Sequence, residues 1–189
     1  KMFFLYQVLL SFLLLISPLI LIFRFFKKKE SKKSILEKFC LSFRNKTAGK
    51  IIWFHGSSVG ELLSIIPLIE NYEKNNSIDQ ILVTSSTLSS SKVLSRFNFK
   101  KTIHQFYPVD HIFFTKKFLN YWKPDLAIFI ESEIWPCMFK NLNYKKIPLI
   151  LLNARITEKT FLKWKGLKNF QREIFSKIMI TYPQNIETK

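Results

Sequence analysis

Residues Ile51–Glu61, IIWFHGSSVGE, constrain the fold more than any other stretch of the chain. Their first five residues, β-branched or aromatic up to His55, read as a strand buried on both faces. The strand breaks into a turn bounded by Gly56 and Gly60, and Val59 onward opens a helix. The whole chain has only 4 glycines. Two of them at one turn imply a backbone that bends sharply or sits close to something. A turn at the carboxyl end of a strand and the amino end of a helix is where α/β proteins keep ligands. Glu61 is the first carboxylate of that helix.

The same alternation continues to the end of the chain. Strands are expected at Ile51–His55, Gln80–Thr84, Thr102–Phe106, Asp125–Ile130, Pro148–Leu152 and Ile178–Thr181. Helices are expected at Val59–Tyr72, Ser89–Phe97, Ile112–Tyr121, Trp135–Leu142 and Glu158–Phe175, the last broken near Gly166. Continuous apolar runs such as LAIFI and PLILL suit strands covered by helices on both faces, hence a parallel sheet. Right-handed crossovers then make residues 50–189 one Rossmann-like α/β domain.

Ahead of this domain, Phe3–Phe26 is apolar but for Gln7, Ser11, Ser17, Pro18 and Arg24, long enough to cross a bilayer as a helix. Residues 1–26 are therefore read as an uncleaved transmembrane anchor. The positive charge follows the apolar core, whereas a signal peptide carries it in front. Arg24, Lys27, Lys28, Lys29, Lys32 and Lys33 are expected to stay cytoplasmic against anionic headgroups, with the short N-terminus outside. Residues 27–49 form a basic neck, and within it Ser34–Phe43 is amphipathic. That segment suits either the membrane surface or the underside of the domain. Formal charge is +17, from 30 Lys+Arg against 13 Asp+Glu. Lys, Ile, Asn and Phe are all abundant, so compositional bias accounts for part of the excess. The remainder points to an anionic membrane surface, because no nucleic-acid recognition pattern accompanies it. Cys40 and Cys137 have no metal or redox spacing and read as reduced thiols.

Every expected strand-to-helix turn falls on one edge of the sheet. Those turns carry the polar residues: HGSSVGE (55–61), TSSTLSSS (84–91), YPVDH (107–111), ESEIWP (131–136) and NARITEKT (153–160). HGSSVGE lacks the lysine and glycine spacing of a nucleotide P-loop and is not the dinucleotide fingerprint. Ser58 and Glu61 match a helix capping box, the bland reading of that glutamate. The other reading is a carboxylate placed to take a proton from a hydroxyl. Glu131 and Glu133 flank Ser132 past a buried strand. One of them either satisfies helix N-terminal amides beside Trp135-Pro136 or stabilises positive charge, as sugar-transfer chemistry needs. Arg155 either clamps an anion or makes an ordinary ion pair. His55, His104 and His111 show no metal-ligand spacing.

In this order, WFHGSSVGE, YPVD, ESEIWP and NARITEKT resemble the N-terminal half of the bacterial 3-deoxy-D-manno-octulosonic acid (Kdo) transferases. The match runs from the apolar helix to near the end of the chain. The resemblance implies an inner-membrane enzyme with two Rossmann-like halves in the GT-B arrangement, working without a metal or cofactor. It implies inverting transfer of Kdo from CMP-Kdo to the lipid A precursor. By the same resemblance Glu61 is the general base and Glu131 a transition-state stabiliser, with Ser58, Gly60 and Arg155 as candidate substrate contacts. TSSTLSSSK lacks the glycine usual in the family, and Cys137 stands where an asparagine is usual. Lys189 falls about where the first half should hand over, so CMP-Kdo would be bound through a missing C-terminal half. The competing expectation is a non-catalytic membrane adaptor or an inactive remnant of such an enzyme.

Overall fold

A computed structural model of the chain describes residues 2–131, 134–154, 176 and 178–183. Strands β1 (Ile51–His55), β2 (Gln80–Ser85), β3 (Thr102–Phe106), β4 (Leu126–Ile130), β5 (Leu149–Ala154) and β6 (Ile180–Pro183) form one sheet in the order β3-β2-β1-β4-β5-β6. Every neighbouring pair is parallel. This is the open, doubly wound Rossmann order, whose direction of travel reverses between β1 and β4. The parallel sheet read from the apolar runs is present. Asp125, read as the start of a strand, lies just before β4. Its carboxylate accepts the Ile51 N–H at 2.7 Å, bracing the first residue of β1.

Side-chain alternation along the strands feeds two separate cores. On one face Ile51, Trp53, Leu82, Ala127 and Phe129 pack with residues of α6 (Ile112–Trp122) and α7 (Pro136–Tyr144). On the other, Ile52, Phe54, Ile81, Val83 and Ile128 pack with α3 (Val59–Ser64) and α4 (Ile66–Glu73). Burying each such side chain contributes roughly 1.5–3 kcal/mol, so β1, buried at all five positions, is the centre of the molecule. The edge strand β6 is exposed throughout.

The segment 59–72, read as one helix, is two. Pro67 has no N–H to give to Leu63 and its ring crowds that carbonyl, so α3 stops at Ser64 and α4 restarts beyond Ile65. The α5 helix (Leu88–Leu94) is capped by Thr87, whose hydroxyl accepts the Ser90 N–H. The helix expected at 158–175 lies outside the described residues.

N-terminal to the sheet are α1 (Met2–Phe26) and α2 (Lys32–Lys38). Of the two placements open to the amphipathic segment, packing against the domain is the one adopted. Glu37 is buried and its Oε2 accepts the Phe106 N–H of β3 at 2.8 Å. Further along, Phe43 stacks on Tyr121 at 4.2 Å between ring centroids. Gln80 receives the Thr47 N–H and donates to the Asn45 carbonyl.

Two buried carboxyls give the fold a pH dependence. Burial pushes Glu37 up to about 7 despite the Phe106 amide, with the Arg44 Nε 3.3 Å from its carboxylate. Burial likewise pushes Asp110 up to about 7 against the lowering pull of the Met138 and Cys137 amides and the Tyr6 hydroxyl. An unfolded Asp or Glu titrates near 4, so the folded state holds more protons between about pH 4 and 7. The stabilisation is complete below that window and is lost as pH rises through about 7. Thermal unfolding followed from pH 5 to 8 should show the midpoint falling, with a shallower slope in Glu37→Gln. An unchanged slope would refute the assignment.

Candidate active site

The turns after β1 and β4 face each other across the switch point of the sheet, the crevice where open α/β sheets bind ligands. His55 pairs with Phe129 in the parallel register. Continuing that register by two residues brings Glu131 level with Ser57. The Ser57 N–H donates to Glu61 Oε2 at 2.8 Å. The two glutamates singled out in the sequence therefore arise from neighbouring strands at one crevice.

Glu61 sits in the first turn of α3, half-buried. Half of the capping box is present, since the Ser58 hydroxyl accepts the Glu61 N–H at 3.2 Å. The glutamate does not complete it: its carboxylate takes the N–H of Ser57, one residue before the cap. Among the described residues its Oε1 has no hydrogen-bond partner. One oxygen is thus anchored, while the other keeps its lone pairs for an incoming donor.

The two glycines of the turn differ in what they do. A Cβ on Gly56 would lie 3.1 Å from the Glu61 Cβ and 3.3 Å from Leu62 Cδ2. Gly56 therefore lets α3 fold back far enough for Glu61 to reach the turn. Gly60 is a helical residue with the nearest atom, Ser58 Oγ, 4.0 Å from an added Cβ, so neither backbone nor packing requires glycine there. The exposed Ser58 and Gly60 border the turn on its solvent side.

Glu131 has a left-handed backbone (φ 56°), uncommon for a residue with a Cβ, and its N–H donates to the Leu152 carbonyl at 2.9 Å. The kink ends β4 at the crevice. Asn153 on the adjacent β5 has the same φ, beside the irregularity between Leu152 and Ala154. Such backbone strain, on the order of 1 kcal/mol or more per residue, gathers at functional sites. Ser132, Glu133 and Arg155 lie outside the described residues.

Several residues that organise the crevice were not singled out from the sequence. His55 is fully buried at the end of β1. Its Nε2 accepts the Trp135 indole N–H at 3.1 Å, so Nδ1 carries the proton and faces the Thr84 hydroxyl and carbonyl at 3.0 and 3.2 Å. The Tyr107 ring stacks on the imidazole at 3.9 Å. One histidine at the end of β1 thereby ties β2 to the turns after β3 and β4. The Ser57 hydroxyl bonds that of Ser86, and the Ser90 hydroxyl donates to the Ser57 carbonyl. The N-terminal amides of α7, which one of the two readings gave to a glutamate of ESEIWP, are met by Asp110 of YPVD at 3.1 and 2.9 Å. Pro136 occupies the early helical position expected of it. The order of capping residues in space was invisible along the chain.

Burial holds His104 down to about 3, and it hydrogen-bonds Ser85 at 2.8 Å, so it is neutral and committed at physiological pH. Among the described residues no three His, Cys, Asp or Glu side chains converge as a metal site needs. Cys40 and Cys137 are free and buried, with the Cys40 thiol pushed up to about 12 by burial. The chemistry on offer is that of carboxylates held at a helix start beside backbone amides.

Fold and crevice together define a Rossmann-like domain with an acidic pair at its switch point. A solved UDP-GlcNAc 2-epimerase from Neisseria meningitidis is similar in fold, with a TM-score of 0.53 over 74% of this chain and 41% of that one, at 15% identity. Residues 33–189 match the family described as 3-deoxy-D-manno-octulosonic-acid transferase (kdotransferase), and the chain belongs to that family. The transferase of Rickettsia bellii is 41% identical over 182 residues, covering 94% of this chain and 43% of its own length. That of Haemophilus influenzae is 27% identical over 139 residues, 73% of this chain and 33% of its own. A probable mitochondrial transferase of Arabidopsis thaliana is 37% identical over 118 residues, 62% of this chain and 26% of its own. The chain thus spans less than half the length of these relatives.

The glycine analysis makes a paired prediction. Gly56→Ala should destabilise the domain by about 1–3 kcal/mol, because the new methyl group overpacks against Glu61 and Leu62. Gly60→Ala should leave stability unchanged or raise it by about 0.5–1 kcal/mol, as alanine in a helix does. Denaturant melts of the two variants check this, and equal effects would contradict the geometry.

Proposed function

We propose that this chain is the acceptor-binding, base-carrying half of a membrane-associated Kdo transferase of lipopolysaccharide biosynthesis. The observation that carries the reading is Glu61: one carboxylate oxygen anchored to the Ser57 amide, the other unpartnered among the described residues, at the switch point of the sheet. In this reading Glu61 removes the proton from the acceptor sugar hydroxyl as that oxygen attacks the anomeric carbon of Kdo, inverting it. Glu131 faces the positive charge that develops on the donor sugar. No metal takes part, and CMP-Kdo is held by a GT-B partner half. Ser58, Gly60 and Arg155 are assigned to the lipid A precursor, with Gly60 leaving room beside the base.

The basic neck supports a lipid acceptor bearing phosphates. Lys27, Lys28, Lys29, Lys32 and Lys33 are all exposed, whereas Arg24 is paired with Glu30 at 3.0 Å. The free ammonium groups suit the anionic face of the inner membrane and the acceptor's head group, each adding on the order of 1 kcal/mol near such a surface. The sequence reading has α1 crossing the membrane once with the domain in the cytoplasm.

The test combines the full chain with the C-terminal half of a relative and measures Kdo transfer to lipid A precursor. Glu61→Gln should lower kcat by about 10²–10⁴-fold with the acceptor KM little changed, and Glu131→Gln by about 10²–10³-fold. A Glu61→Gln rate within a few-fold of the parent would leave Glu61 a structural residue of its turn. Absence of transfer by the unmutated pair would favour the adaptor or remnant.

A further inference from the structure

The α1 helix is tied to the protein at both of its ends. Phe3 is 8% exposed and packs into the core, with the Lys140 ammonium 3.9 Å above its ring. The Tyr6 hydroxyl donates to Asp110 Oδ2 at 2.9 Å, on the carboxylate that caps α7. Ser11 lies 3.4 Å from His111 at the start of α6. At the far end Arg24 pairs with Glu30 just before α2. The less exposed positions are 3, 6, 7, 10, 14, 17, 21 and 24, a three-and-four spacing that marks one helical face. Tyr6, Gln7, Ser17 and Arg24, most of the helix's polar residues, lie on that face. The opposite face is apolar and bare, with Phe4 at 70%, Leu15 at 76% and Phe26 at 79% exposed.

A helix of 25 residues is about 37 Å long. Were it to cross the bilayer with its N-terminus outside, Phe3 and Tyr6 would sit a full membrane thickness away from Asp110 and Lys140. The observed contacts and the polar stripe need the helix to lie along the domain. We propose that α1 is an in-plane docking helix. It rests in a single leaflet of an anionic bilayer, polar stripe on the domain and apolar face among the acyl chains, passing over the N-terminal ends of α6 and α7. Between α1, α2 and Phe114 it leaves an open apolar groove of about 780 Å³, lined by Leu14, Leu21, Phe25, Ile35 and Leu36, with Lys32 at its edge. An acyl chain fills that groove while the lysines meet the headgroup phosphates. Those helix ends belong to the edge of the sheet that carries the switch-point crevice, so the crevice is held at the bilayer surface. A lipid acceptor would then reach Glu61 by sideways diffusion.

The proposal takes from the proposed function only that the chain works at a membrane. Its test is independent of transferase activity. Spin labels on cysteines placed at Phe4, Leu15 and Phe26 of the full chain, in vesicles of phosphatidylethanolamine and phosphatidylglycerol, report depth. Cys40 and Cys137 are buried and do not compete. In-plane docking places all three labels at one shallow depth, roughly 5–10 Å below the headgroups. A crossing helix places Leu15 at the bilayer centre with the other two near opposite surfaces, and that pattern overturns the proposal. A protease added to inside-out inner-membrane vesicles should remove an N-terminal epitope tag, whereas protection of the tag counts against it. Labels that stay in water, with the chain dimeric by light scattering, would mean that the bare face covers a second copy, and the proposal fails.

Discussion

A buried imidazole must satisfy both of its nitrogens, and His55 meets that demand through β2 and the turn after β4. It stands at the last position of a strand buried at every residue, where water cannot supply either bond. Thr84 from β2 and Trp135 from the turn after β4 provide them, and Tyr107 from the turn after β3 closes over the ring. Once the imidazole is bonded, the carboxyl edge of the sheet has one arrangement. The crevice between β1 and β4 opens where the topology reverses, with Glu61 and Glu131 on its two sides.

Asp110 extends this organisation to the N-terminus. A single buried carboxylate caps α7 through two amides and receives the Tyr6 hydroxyl of α1. The same residue thereby orients the helix that carries Trp135 at its start and seats the apolar N-terminal helix on the domain. The seating of α1 and the layout of the crevice share one hydrogen-bonded joint. The α7 amides and the Tyr6 hydroxyl bond this carboxyl group and offset part of the cost of burying it.

The strands were legible because burial on both faces leaves continuous apolar runs, and LAIFI and IIWF can serve little else. Helix ends were less so: Pro67 breaks the run after β1, although the apolar period passes straight through it. In the crevice, Glu61 was marked by its glycine turn, yet the sequence suggested a capping role for its carboxylate that the structure gives instead to the Ser57 amide. Asp110 was quoted as part of YPVD without a role, since its partners lie 27, 28 and 104 residues away. His55 was set aside as a metal ligand and passed over as the centre of the hydrogen-bonded loops. Its hydrogen-bonding partners are Thr84 of β2 and Trp135 of the turn after β4, which no spacing rule connects.

Composition and periodicity by themselves determined a parallel α/β domain behind a long apolar helix, and the resemblance of four ordered motifs pointed to the family, because apolar patterning and short motifs are local properties of the chain. Tertiary structure alone decided which carboxylate caps which helix, why Gly56 and not Gly60 has to be glycine, and which face of α1 meets the domain. Those outcomes depend on distances between residues remote in sequence. Hydrogen bonding and close packing act over a few ångströms in space and are blind to separation along the backbone.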